Sequence, residues 1–340
     1  MTNNPNSANT GYELQNYLED TFRQEIKRDV LNGLTSTNKY IPSKYFYDEK
    51  GSRIFDEICH LPEYYPTRTE LSILKNAAEG IMANFQGGDM IELGSGANRK
   101  IRMLLDAAGP SGQSSIRYIP VDVSRTALTG AVEELIGIYP DLEVLGIVAD
   151  FIHHINVIPN SRPKLIIFFG GTIGNLDEEE SISFLKSVKG IMKKGDRLLF
   201  GLDMIKPKEL LEAAYNDSQG RTAEFNRNVL RVINRELNAN FSSSVFDHVA
   251  FFNRERERVE MHLRTRNDMS VEINDLDLTI KLMKGETIQT EICRKFSRES
   301  AGKMISEAGL TIAKWYTDPK GWFSLVEVET LNNNDQERTD

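Results

Sequence analysis

IELGSGANRK (residues 91–100) carries Gly94 and Gly96 between an apolar strand-like run and the start of a helical one. A doubly wound sheet receives a nucleotide at that place. The run is not the dinucleotide fingerprint, because Arg99 stands at the third glycine position. A pyrophosphate needs close backbone approach and a helix N-terminus free of bulk, whereas a nucleoside cofactor without phosphates demands less. Asp122 ends the next strand, where a carboxylate can grip ribose hydroxyls. Asp150 ends the strand after that and can face the base. Gly-Ser-Gly alone is equally an ordinary tight turn. With two strand-terminal aspartates it reads as a cofactor loop.

FFGGTIGN (168–175) closes a fourth apolar run. Gly170 and Gly171 let the backbone come close to a ligand, and Asn175 offers both a donor and an acceptor, which suits a zwitterion. The same segment also reads as a strand-to-helix turn with Asn175 near a helix cap, and the local sequence leaves both readings open. Ahead of the glycine loop, YFYDEKGSRIFDEICHLPEYYPTRTE (45–70) gathers Tyr45, Phe46, Tyr47, Phe55, Tyr64 and Tyr65. These rings form either a packed core or a lid over a small polar substrate.

Other chemistries lack their residues. His153 and His154 are adjacent, so they point different ways and read as surface groups. His262, in VEMHLR, reads as outward-facing on a strand. No Ser-His-Asp set, metal-ligand spacing or P-loop is present, so no metal is expected. Cys59 and Cys293 give neither a disulfide framework nor metal spacing. Trp315 and Trp322 read as core.

These residues need a scaffold. DMIELG, IRYIPVDV, LEVLGIVAD, KLIIFFGG and DRLLFGLDM read as strands, the third ending at Asp150. RKIRMLLDAA, ALTGAVEELIGIY and EEESISFLKSVKGIMKK read as the helices between them. Such alternation means a parallel sheet covered on both faces. YELQNYLEDTFRQEIKRDVLNGL reads as one amphipathic helix ending near Gly33, and RTELSILKNAAEGIMANF as another. After the fifth strand come two helical runs, PKELLEAAYND and AEFNRNVLRVINRELNANF. Antiparallel strands follow in VFDHVAFFNRERERVEMHLRTR and LDLTIKLMKGETIQTEICRKF. RESAGKMISEAG then restores the α/β texture before a closing hairpin. The expected organisation is an α/β, doubly wound domain over 70–205 plus 296–330. A second α+β domain covers 11–69 plus 206–295, with disordered tails at 1–10 and 331–340.

The formal net charge of −9 argues against a nucleic-acid partner. No apolar run reaches the roughly 18 residues that a bilayer span requires, and the start has no signal-peptide pattern. A cytoplasmic enzyme for a small molecule, monomeric and away from membranes, is the expectation.

Six segments together carry a specific resemblance: IPSKYFYDEKGSRIFDEICHLPEYYPTRTE, IELGSGANRKIRMLLDA, GGTIGNL, TAEFNRNVL with VINREL, ERVEMHLR and KGETIQTE. In this order they resemble the histidine Nα-methyltransferases of ergothioneine biosynthesis, over roughly Tyr17 to Val328. The resemblance implies a class I (Rossmann-like) methyltransferase fold with a second, substrate-binding domain. It also implies transfer of three methyl groups from S-adenosylmethionine to the α-amino nitrogen of histidine, giving hercynine. The family's cofactor contacts fall on Tyr47, Gly94, Lys100, Asp122, Asp150 and Phe151. Its carboxylate grip falls on Asn175 and Tyr215, its amine and methyl pocket on Tyr47, Phe55 and Gly170, and its imidazole side on Tyr64, Met261 and Glu291. One position departs: Cys293 stands where the family carries a serine hydroxyl toward the imidazole.

Physical chemistry agrees with this assignment. Methyl transfer to an amine is an in-line displacement, and holding nitrogen and methyl in line supplies much of the catalysis. The product is a quaternary ammonium, which aromatic faces hold well. Tyr47, Phe55 and Tyr64 suit that wall, with Tyr47 as the catalytic candidate, while Tyr45 and Tyr65 read as structural. Two alternatives accompany this reading. One is the same chemistry on another amino acid or derivative, as in a related fungal enzyme acting on a prenylated tryptophan. The other is an inactive S-adenosylmethionine-binding module. Glu291 favours a side chain with N–H groups, and the intact substrate set argues against an inactive module.

Overall fold

Strands that are apolar at every position need cover on both faces. A computed structural model, which describes residues 12–18, 22–96 and 98–331, supplies that cover with helices. The elements run β1 (Glu13–Asn16), α1 (Phe22–Thr35), α2 (Glu49–Cys59), α3 (Tyr65–Met82), β2 (Gly88–Leu93), α4 (Arg99–Gln113), β3 (Ile116–Asp122), α5 (Arg125–Ile138) and β4 (Glu143–Val148). Then come β5 (Lys164–Phe168), α6 (Glu178–Ile191), β6 (Arg197–Asp203), α7 (Lys208–Tyr215), α8 (Arg221–Leu237), β7 (Phe246–Asn253), β8 (Arg258–Thr265) and β9 (Met269–Ile273). The chain continues with β10 (Leu278–Leu282), β11 (Thr287–Arg294), α9 (Arg298–Glu307), β12 (Leu310–Thr317) and β13 (Phe323–Thr330). None of these helices is long and apolar enough to cross a membrane. The terminal segments expected to be disordered lie outside the described residues, apart from Leu331.

The main sheet has the order β1-β4-β3-β2-β5-β6-β13-β12. Its strands are parallel except β13, which pairs antiparallel with both β6 and β12. Successive side chains go to opposite faces. Leu198, Phe200 and Leu202 pack with α6 and α9, while Leu199 packs on the other face with residues of α3, α4 and α5. This explains why the sequence of β6 shows no polar alternation. β2 pairs with β3 on one side and β5 on the other, so the strand order reverses there and leaves a crevice at the strands' carboxyl ends.

Two local expectations are corrected. The stretch read as one helix from Tyr12 is instead β1, which adds to the sheet edge parallel to β4, followed by α1 from Phe22. Open backbone groups on the edge of β4 outweigh the helical spacing of Leu14 with the residues after it. The third strand of the parallel run ends at Val148 rather than Asp150, which places Asp150 in the loop beyond.

A third cluster of buried residues gathers α1, α2, α7 and α8 with strands β7 to β11. β11, β8 and β7 form one antiparallel sheet and β10 with β9 another. α2 begins just after Tyr47: the Asp48 carboxylate accepts the Gly51 N–H at 2.8 Å and the Asn228 side-chain amide at 2.7 Å. A Cβ on Gly51 would stand 1.7 Å from the Phe46 carbonyl oxygen. Only glycine lets the helix sit so close to the turn that presents Tyr47. Gly51→Ala should therefore lower stability by about 1–3 kcal/mol or more, as overpacking does. Thermal denaturation should show a clear drop in midpoint, which a side-chain truncation on the exposed face of α2 should not.

Candidate active site

The crevice at the strand-order reversal opens into a cavity of about 1010 Å³. On one side lies the turn after β2. Gly94 has φ +74°, a conformation that favours glycine, and a Cβ on Gly96 would meet nothing within 4 Å. Between them the Ser95 hydroxyl is buried without a hydrogen-bond partner. Asp122 accepts the Ser124 N–H at 2.8 Å. Burial raises its carboxyl to about 6, with the Ser124 and Val123 amides opposing the rise. Asp150 accepts the Ile152 N–H at 2.9 Å and lies 2.9 Å from His153 Nδ1, with Lys44 Nζ at 3.7 Å. Burial alone would raise its carboxyl, but the His153 hydrogen bond and the Lys44 charge outweigh that and hold it low.

α3 contributes a group that the sequence did not flag. Glu70 is fully buried, accepts the Gly170 N–H at 3.0 and 3.1 Å and pairs with Lys100 Nζ at 2.6 Å. One carboxylate thus fixes both the loop after β5 and the first turn of α4. Glu92 lies buried in the same region, 2.5 Å from the Tyr118 hydroxyl, and burial raises it to about 7.

The opposite wall is β11. Its pairing with β8 slips between Gln289 and Glu291, so that Thr290 bulges and Glu291 stands opposite Met261. Bulges re-aim side chains beside functional sites. This one is held by the Thr290 hydroxyl, which donates to Asn226 Oδ1 at 2.6 Å and to the Met261 carbonyl at 3.1 Å. Glu291 and Cys293, two residues apart, then share the cavity face. Asn175 reaches across from the loop after β5 and donates to Glu291 Oε1 at 2.9 Å. Burial raises Glu291 to about 7, with the Asn175 hydrogen bond and the Lys295 charge opposing the rise.

Between these walls stand the rings. Tyr47 meets Phe55 edge-on at 5.6 Å and Phe225 at 5.5 Å, and Phe55 meets Tyr64 at 6.0 Å. Burial pushes the Tyr47, Tyr64 and Tyr215 phenols well above 10, so all three keep their protons.

The site residues named from the sequence line this one cavity, Tyr47, Phe55, Tyr64, Gly94, Gly96, Lys100, Asp122, Asp150, Phe151, Gly170, Asn175, Tyr215, Met261, Glu291 and Cys293, whereas Gly171 instead faces Phe323 and Asp203. Sequence reasoning missed Glu70, Glu92, Phe225 and a charged knot of Asp203, Lys206 and Lys295 behind the cavity wall. Asp203 could have been found, since it ends β6 at the same rim where Asp122 ends β3. Nothing in the local sequence marks Lys295. His262 does lie on the face of β8 away from the core residues Val259, Met261 and Leu263, where it is partly covered, stacked on the exposed Phe251 at 5.5 Å and 3.1 Å from Glu260.

An open glycine turn, a buried hydroxyl without a partner and a strand-terminal carboxylate fit a nucleoside cofactor. With the sheet order, in which β13 runs antiparallel between β6 and β12, they define a class I, S-adenosylmethionine-dependent methyltransferase. The chain belongs to the family described as "Histidine-specific methyltransferase, SAM-dependent", whose model matches residues 26–330. It is 43% identical over 313 residues to the histidine N-alpha-methyltransferase of Mycolicibacterium smegmatis, covering 92% of this chain and 97% of that protein. The Mycobacterium tuberculosis histidine N-alpha-methyltransferase is 42% identical, over 90% of this chain and 95% of that protein. The ergothioneine biosynthesis protein 1 of Schizosaccharomyces pombe is 29% identical, over 88% of this chain and 40% of that longer protein.

Asp122 carries a pH prediction. A ribose held here would donate its hydroxyls to the ionised carboxylate, so a bound cofactor would favour that form. Cofactor affinity should be full well above pH 6, where Asp122, raised to about 6, is fully charged. It should fall as pH drops through that value, by up to about tenfold per unit for one proton. In Asp122→Asn the affinity should be lower at neutral pH and this part of the slope absent. Calorimetric titration of S-adenosylhomocysteine at several pH values measures both.

Proposed function

We propose that this methyltransferase trimethylates the α-amino nitrogen of free L-histidine to give hercynine, within ergothioneine biosynthesis. Membership of the histidine-specific family supports the reading. The observation that carries it is the placement of Glu291, a single carboxylate on the cavity face of β11, tied to Asn175 and facing the same cavity as the glycine turn. A carboxylate there can accept an imidazole N–H, which an unsubstituted hydrocarbon ring could not offer.

Tyr47, Gly94, Lys100, Asp122, Asp150 and Phe151 would hold S-adenosylmethionine. The cofactor supplies an electrophilic methyl group on a sulfonium. The chain's own residues do the remaining work. Tyr215 and Asn175 take the substrate carboxylate, both able to donate hydrogen bonds to it. Tyr64, Met261, Glu291 and Cys293 take the imidazole. Tyr47, Phe55 and Gly170 surround the nitrogen. The edge-on rings offer π faces to a nitrogen that must be neutral to attack and ends as a quaternary cation. Tyr47, protonated throughout, serves as a donor or as a wall and not as a permanent anion.

We further read residues 11–69 plus 206–295 as the substrate-binding domain, although β1 joins the main sheet. Residues 70–205 plus 296–330 form the methyltransferase domain. The protein is read as a cytoplasmic monomer that engages neither nucleic acid nor membrane.

Purified protein incubated with S-adenosylmethionine and each proteinogenic amino acid in turn, with methyl groups counted by mass spectrometry, tests the substrate. Free histidine should acquire three, while histidinamide and a peptide with internal histidine should react poorly for lack of a free carboxylate. Efficient methylation inside the peptide would overturn the reading.

Cys293 generates a second expectation. The thiol is a weaker hydrogen-bonding group than a hydroxyl, and burial raises its pKa, so it stays protonated at neutral pH. Gaining a good hydrogen bond contributes about 0.5–1.5 kcal/mol, or roughly two- to thirteenfold in affinity. Cys293→Ser should tighten histidine binding within that range when S-adenosylhomocysteine is present. A clear loss would mean that the pocket is fitted to a softer, less polar side chain.

A further inference from the structure

Behind the wall that holds Tyr215 and Cys293 lies a knot of buried charge. Asp203 ends β6 at the floor of the cavity. Its carboxylate accepts the Tyr65 hydroxyl at 2.9 and 2.7 Å, pairs with Lys206 Nζ, and pairs with Lys295 Nζ at 2.7 Å. Both lysine side chains are almost wholly buried. Two cations face one anion at the cavity floor, so the knot carries an excess positive charge beside the cavity. Buried charges are costly unless paired.

The direction of that excess follows from hydrogen-bond counting. An ammonium group has three donors and no acceptor. Lys295 Nζ has three polar neighbours: Asp203 Oδ2 at 2.7 Å, Cys293 Sγ at 3.0 Å and Tyr215 Oη at 3.2 Å. Each of its protons is therefore spoken for, and the tyrosine oxygen and the cysteine sulfur can only accept from it. The phenolic proton and the thiol proton must then go elsewhere, and both groups line the cavity. Tyr215 also lies within hydrogen-bonding reach of Cys293. Sulfur is a weak acceptor, so a carboxylate entering the cavity would take the phenolic proton instead.

We propose that Lys295 is a positioning residue for the substrate: by donating to Tyr215 Oη and Cys293 Sγ, it fixes both groups as donors toward the cavity and places a buried positive charge behind the carboxylate site. This rests on the reading of Tyr215 as a carboxylate ligand. It makes an amino acid with a free, ionised carboxylate the ligand that completes the knot. It also sets the sense of Cys293, whose S–H then faces the unprotonated nitrogen of a neutral imidazole while Glu291 accepts the N–H of the other. The charge balance supports the geometry. Burial would lower the Lys295 ammonium, yet the Asp203 carboxylate outweighs it and keeps the lysine charged. Lys206, by contrast, is pulled down by its burial.

The test is a double-mutant cycle on the full chain, with calorimetry of L-histidine in the presence of S-adenosylhomocysteine, and of S-adenosylhomocysteine alone. Lys295→Met should weaken histidine by about tenfold, the scale of a hydrogen bond to a charged group, and leave S-adenosylhomocysteine within about twofold. In a Tyr215→Phe background the same change should cost histidine much less, because no hydroxyl remains to orient. Histamine, which keeps the imidazole but lacks the carboxylate, should lose clearly less than histidine on Lys295→Met, through the Cys293 contact alone. Should that variant not fold, the pair Lys295→Met with Asp203→Asn keeps the net charge of the knot and is expected to show the same selective loss. Equal losses for both ligands, or the same loss in the Tyr215→Phe background, would reduce Lys295 to a structural role and overturn the proposal. If Tyr215→Phe itself leaves histidine affinity intact, the carboxylate reading fails and this inference falls with it. If Tyr215→Phe weakens binding and the Lys295 variants do not, only the inference fails.

Discussion

The molecule depends on one close approach. The turn after β5 lies against β11 so tightly that a Cβ on Gly174 would stand 2.8 Å from the Arg294 carbonyl oxygen and 3.3 Å from Cys293 Sγ. At the end of the same turn, Asn175 donates to Glu291. A hydrogen bond to a charged group contributes about 1.5–3 kcal/mol, which is modest against the cores on either side. Its importance is geometric. It joins a loop of the parallel sheet to a strand more than a hundred residues later in the chain, so that the glycine turn after β2 and the cavity face of β11 enclose one space. Glu70, buried beneath the other end of this loop, holds the Gly170 amide and thereby sets where the turn begins.

Within that space the electrostatics are divided. Glu92, Asp122 and Glu291 are enclosed by protein and have their carboxyls raised by burial. Asp203 is also enclosed, but two lysines hold it low. The first three therefore titrate within reach of neutral pH, where a small polar ligand can change their charge. Asp203 does not, and anchors the cations behind Tyr215. Tyrosines kept protonated by burial line the middle, able to donate and to present ring faces but not to carry charge. Near neutral pH the charge of these ring walls stays fixed while that of the surrounding carboxyls does not.

The β-bulge at Thr290 shows how local irregularity serves the site. Without it the side chains of β11 would alternate in strict register with β8. With it Glu291 stands opposite Met261, and Thr290 turns inward to bond Asn226 of α8. Helix, bulge and cavity wall are thus fixed by one hydroxyl.

The sequence by itself determined a great deal here. Strand-helix alternation, with apolar runs too uniform for a one-sided sheet, specified the doubly wound architecture, because buried parallel strands cannot alternate. Glycines after β2 and β5 and the aspartate ending β3 marked the crevice, because that topology puts strand carboxyl ends at the ligand. Resemblance over most of the chain, and not the six segments alone, named the cavity residues proposed for the cofactor and substrate, Asp122, Asp150, Phe151, Tyr215 and Cys293 lying outside those segments. Tertiary structure alone decided the rest. Leu14 has helical spacing yet forms a strand, because a sheet edge offered pairing that a single turn of helix could not match. Glu70 looks like any helix glutamate, and Lys295 like any basic residue after a strand. Their meaning lies in partners 100 and 92 residues away, Gly170 for one and Asp203 for the other. Pattern reveals where apolar faces must go, since periodicity is local. It does not reveal which buried charges will meet, since that is settled only when distant segments share the same low-dielectric space.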